Sequence, residues 1–92
     1  MKRKVATKNL LDGETTIREL KGISEDEMLT AVGAGQRLIE AGEYKAATEV
    51  LAGLALYDPF CPAVWRSLED LFRRNRQPQQ ANFFADLARA MA

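Results

Sequence analysis

Side-chain chemistry needs groups that converge, and the groups in this sequence that could do so are few. Three carboxylates stand together at Glu25-Asp26-Glu27, a set that could hold a divalent cation. Three cations cluster as Arg73-Arg74-x-Arg76, which could grip phosphate or RNA. Cys61, the only cysteine, could be a nucleophile or a metal ligand, and Trp65, the only tryptophan, could stack a ligand. Each residue also has a structural reading, and that reading suits its position better. Ser24 followed three residues later by Glu27 is the pattern of a capping box, and acidic side chains in a first turn complement the positive end of the helix dipole. Arginines in a last turn do the same at the carbonyl end, and no aromatics interleave with these three. With no histidine and no Gly-rich phosphate loop, Cys61 has no base beside it. It reads as a small half-buried apolar residue, and Trp65 as core. The chain is expected to be no enzyme and to carry no cofactor and no metal.

Composition narrows the partners. Lys plus Arg and Asp plus Glu are both 13, so no net field draws the chain to nucleic acid or to an anionic membrane surface. Apolar residues at 47% and charged residues at 28% argue against wholesale disorder, and 92 residues allow one small domain. No stretch approaches the roughly 20 apolar residues of a membrane span. The opening Met1-Lys2-Arg3-Lys4-Val5 has the basic head of a signal peptide, but Thr7-Lys8-Asn9 and Asp12-Gly13-Glu14 interrupt any apolar run after it. A single cysteine forms no internal disulfide and suits a reducing compartment, so the expected location is the cytosol.

The elements that must position these residues are all helical. Residues 1–23 read as an N-terminal arm or short helix, with Leu10, Leu11, Ile17 and Leu20 as its apolar anchors, and residues 24–92 as one domain. A helix is predicted from about 25 to 41, closed by Gly42. A second carries Tyr44, Ala47, Val50, Leu51, Leu54 and Ala55 and stops at Asp58-Pro59. A third starts at Pro62, and Asn75-Arg76-Gln77-Pro78 breaks it from a fourth over about 78 to 91. Connections of a few residues make successive helices antiparallel neighbours.

A shift of thirty-four residues lays Ala31 on Trp65, Leu38 on Phe72, Ala47 on Ala81 and Leu54 on Ala88. Gly35, Leu38, Gly42, Tyr44, Ala47 and Pro59, followed by Trp65, Leu68, Phe72, Ala81 and Ala88, resemble the tetratricopeptide repeat. The expected fold is therefore all-α: two tetratricopeptide-like helix-turn-helix hairpins, a fragment of an α-solenoid, behind the N-terminal arm. Glu69 and Pro78 depart from the pattern and predict a second hairpin packed less closely than the first.

A narrower likeness runs over residues 16 to 92. Thr16-Ile17-Arg18-Glu19-Leu20-Lys21-Gly22-Ile23-Ser24-Glu25-Asp26-Glu27-Met28, then Gly42-x-Tyr44-x-x-Ala47, then Leu51-x-x-Leu54-x-x-x-Asp58-Pro59, resembles the bacterial type III secretion chaperones for translocator proteins. The resemblance implies a cytoplasmic bacterial protein, without catalysis or cofactor, that holds a hydrophobic translocator in a concave groove before export. That family usually carries three repeats and this chain shows two, which leaves open the shorter relatives that hold the needle subunit.

In such an architecture the first helix of each hairpin lines the groove. Leu29, Val32, Gln36 and Ile39 would form its apolar part, and Ala63, Arg66, Asp70 and Arg73 its polar part, a split that suits an amphipathic segment of a secretion substrate. The alternative is that the N-terminal arm covers Leu29 and Val32. On the last helix Phe83, Phe84, Leu87 and Met91 spread around the circumference. Neighbours in sequence point about 100 degrees apart, so one stripe cannot hide both phenylalanines. That surface is expected to meet a second copy, a co-chaperone or a client, making a homodimer or hetero-oligomer. A generic scaffold recognising a charged peptide end, or a regulator without an export client, would share the same fold.

Overall fold

A computed structural model describes residues 15–92 of the chain. Five helices follow one another: α1 (Ile17–Leu20), α2 (Glu25–Glu40), α3 (Tyr44–Tyr57), α4 (Pro62–Arg74) and α5 (Pro78–Met91), with no strand among the described residues. The all-α expectation holds, and α2 to α5 fall where periodicity and breakers put them. Of the expected N-terminal arm, residues 17–20 form a short helix, and the part with Leu10 and Leu11 lies outside the described residues.

Local hydrogen bonds explain the boundaries. At the start of α2 the Glu27 backbone N–H donates to Ser24 Oγ at 3.1 Å, and the Ser24 backbone N–H donates to Glu27 Oε1 at 3.0 Å, so the capping box is complete. Thr16 Oγ1 caps α1 by accepting from the Glu19 backbone N–H at 3.1 Å. Helices α1, α2 and α4 end in the same turn, a residue with positive φ flanked by two backwards hydrogen bonds. Gly22 and Gly42 fill that position in the first two, at φ 71° and 78°, but Arg76 fills it after α4 at φ 59°. The Glu43 N–H reaches Leu38 O at 2.9 Å, and the Gln77 N–H reaches Phe72 O at 2.8 Å. The left-handed residue thus recurs thirty-four positions on, although glycine does not.

The turns fold α2 against α3 and α4 against α5. Helix α3 also packs on α4, α2 touches α4, and α1 leans on α3. The described structure extends 48 × 23 × 19 Å, and helices of this length are about 20 to 24 Å long, so the long dimension runs across the helices. Met28, Val32, Ile39, Ala47, Leu51, Val64, Leu68 and Leu71 form the core. Gly35 is buried there, and a Cβ on it would lie 2.9 Å from Leu51 Cδ2, so a larger residue would force Leu51 to shift where α2 and α3 meet.

The expected looseness of the second hairpin is not found: α4 and α5 are the most extensively packed pair. Aromatic rings supply the reason. Phe84 stacks between Phe72 at 5.3 Å and Trp65 at 6.1 Å, which ties α5 to α4. Ala81 and Ala88 are buried where the helices meet.

Candidate functional site

The face expected to be a groove is built differently from the expectation. Val32 and Ile39, at 2% and 1% exposure, belong to the core rather than to an apolar groove. The reason is that α4 lies beside α2 on this side: Gln36 Nε2 donates to Ser67 Oγ at 3.1 Å, and Ser67 Oγ donates in turn to Ala63 O at 2.8 Å. One period on, Arg66 and Arg73 occupy the corresponding positions of α4 and are exposed.

Of the residues expected to line the groove, Leu29, 43% exposed, stays open with Gln36, Arg66, Asp70 and Arg73, while Ala63 is half-buried. Arg73 reaches Glu69 Oε2 at 3.0 Å and Asn82 Oδ1 at 3.3 Å. Arg74 pairs with Asp70 at 3.0 Å, a hydrogen bond and charge that raise the guanidinium above its usual pKa. The surface is therefore polar with a single leucine anchor. It is not a hydrophobic trough. Leu29 remains open among the described residues, and Val32 is covered by the core.

The other chemically suggestive residues have structural partners. Glu27 serves the cap, and the Ser24 backbone N–H first, then the Ser24 hydroxyl, hold its carboxyl below the usual 4.5. Trp65 Nε1 donates to Pro59 O at 2.7 Å, which pins the end of the α3–α4 connection to α4. Cys61 is half-buried at the N-cap of α4. On α5 the two phenylalanines diverge as the helical period requires: Phe84 turns inward, and Phe83 is 59% exposed and edge-on to it. Leu87 and Met91 are half-buried.

Two features have no counterpart in the sequence reading. Arg18 Nε donates to Asp58 Oδ2 at 2.9 Å, and a second bond joins Arg18 to Ile23 O at 3.2 Å. Asp58, 7% exposed, also accepts from the Phe60 N–H at 3.0 Å, so one carboxylate ties α1 to the end of α3. The partners lie forty residues apart, and no local pattern pairs them. The second feature is an open depression of about 570 Å³ lined by Ile17 and Lys21 at α1 and by Glu49, Val50, Gly53, Leu54, Leu56 and Tyr57 of α3. Its signal was present in the sequence: Tyr44–Tyr57 carries only Lys45 and Glu49 as charges and has leucines on both sides of the helix. Comparison with known proteins adds no relative, since no family model, curated protein or solved structure matches the chain.

Proposed function

We propose that this protein is a binding protein of the type III secretion chaperone kind, which holds an amphipathic segment of an export substrate, a translocator or a needle subunit, in the bacterial cytoplasm. The observation that carries the reading is the packing of α2 on α4, with Leu29 and Gln36 exposed on α2 and Arg66, Asp70 and Arg73 exposed on α4. The resemblance of residues 16 to 28 supports it, because that stretch forms the turn at Gly22 and the capping box that deliver the chain into α2. Binding here is passive: a client residue covers Leu29, charged client groups meet the arginines and Asp70, and no group is transferred. A specific interface of this kind buries on the order of 1,200 Å² or more, which needs no nucleotide to drive it.

The test is capture in a cell carrying a complete type III system. The tagged protein is recovered without crosslinking, and co-purifying chains are identified by mass spectrometry. A stoichiometric translocator or needle subunit, lost on Leu29→Glu with helicity intact, is the expected result. Recovery of no export substrate would refute the reading. The polar character of the α2 and α4 surface favours one second reading, a scaffold that recognises an acidic peptide end through Arg66 and Arg73. That reading predicts binding weakened steeply by salt and insensitive to Leu29→Glu.

A further inference from the structure

Helix α1 is held to the structure differently from the other helices. The buried core is drawn from α2, α3 and α4, and the half-buried apolar side chains packed on it come from α2 to α5 and their connections, so α1 supplies none of them. No residue of α1 is fully buried, and Leu20 is 47% exposed. Four residues are too few to stay helical by themselves. What holds α1 is the packing of Ile17 near α3 and one charged contact, Arg18 Nε to Asp58 Oδ2 at 2.9 Å.

The elements on either side of that contact are complete without it. Helix α2 starts in its own capping box, in which Ser24 and Glu27 satisfy each other's backbone N–H groups, so its first turn needs nothing from α1. Between the two helices stands Gly22 at φ 71°, where a Cβ would meet nothing within 4 Å, a position able to absorb a change of direction. At the other end Asp58 Oδ1 accepts from the Phe60 N–H at 3.0 Å whether or not Arg18 is present. Arg18 and Asp58 both line an open depression of about 220 Å³, from which water reaches the carboxylate once the guanidinium leaves. Separation therefore strands no charge in the interior.

We infer that α1 is a hinged strap, latched to the end of α3 by the Arg18–Asp58 pair, which opens as one unit over residues 16–23 while α2 to α5 stay folded. Arg18 makes the opening cooperative. Its Nη1 also donates to Ile23 O at 3.2 Å, and its own carbonyl accepts from the Ile23 N–H at 3.0 Å, so the turn after α1 and the latch share one residue. In the closed form Ile17 and Lys21 are one wall of the 570 Å³ depression on α3. In the open form Val50, Leu54 and Tyr57 lose that wall, so the latch sets how much of the apolar side of α3 meets solvent. None of the latch residues belongs to the α2 and α4 surface.

The experiment is amide hydrogen exchange, followed by NMR, on the full-length chain. The reporters are the N–H groups of Leu20, Lys21, Gly22 and Ile23, which donate to Thr16 O, Ile17 O, Glu19 O and Arg18 O. In wild type these four are expected to be protected relative to an unstructured chain, to exchange through a common opening, and to do so well before the amides of α4. Asp58→Asn keeps an oxygen for the Phe60 N–H but loses the charge, and Arg18→Gln removes the pair from the other side. Each is expected to speed exchange of the four by about tenfold, the factor for losing a hydrogen bond between charged groups, with the α4 amides unchanged. The double variant is expected to go no further than either single one. Four amides as fast in wild type as in an unstructured chain would overturn the latch, as would exchange in step with α4. Variants that leave the four unchanged, or that speed the α4 amides equally, overturn it too.

Discussion

Single residues in this protein act mainly through the backbone groups they satisfy. Arg76 occupies the left-handed position that Gly22 and Gly42 fill elsewhere, and its Cβ makes that conformation unfavourable by about 1 kcal/mol. Arg76→Gly is therefore expected to stabilise the fold by about 0.5 to 1 kcal/mol, seen as a raised urea midpoint with an unchanged slope. Glu27 gives a pH-dependent counterpart. Its folded pKa lies below the usual 4.5, so its stabilising effect is fully present above that value and is lost as pH falls through the lower folded one. Lowering the pH from about 6 to about 3 should depress the melting temperature of wild type more than that of Glu27→Gln, and equal slopes would contradict the cap assignment.

At the scale of elements, the second hairpin depends on its aromatic stack and the first on small residues. Trp65 both stacks on Phe84 and holds Pro59 O, so Trp65→Ala removes packing and a hydrogen bond together. The expected loss is about 3 to 5 kcal/mol, enough to unfold most of a domain this small. Calorimetry showing a melting temperature within a degree or two of wild type would contradict the packing described for α4 and α5. Helix α1 is too short to persist alone; its place depends on the Arg18–Asp58 pair and on Ile17 against α3. This strap bounds the open depression on α3.

Across the whole molecule, the arrangement of helices separates residues that look equivalent in sequence. Val32→Glu and Ile39→Glu place a charge in the core and should unfold the domain, visible as lost helicity by circular dichroism. Leu29→Glu, one turn from Val32, should leave helicity intact while removing client capture. Were all three variants to behave alike, the two sides of α2 would not differ as described.

The sequence by itself determined the helix count over residues 24–92, their limits, the capping box at Ser24 and the divergence of Phe83 from Phe84. These follow from hydrogen bonds and periodicity within a few residues, which no distant contact needs to supply. Only the tertiary structure decided which apolar stripe is covered. Val32 and Ile39 read as a groove until they are seen buried in the core, and Leu56 and Gly53 read as part of an ordinary helix until their side of α3 is seen to be left open. The Arg18–Asp58 tie was equally illegible. The physical reason is the same in each case: burial belongs to pairs of elements remote in sequence, and a helix's own pattern states which faces are apolar but not which neighbour, if any, will cover each one.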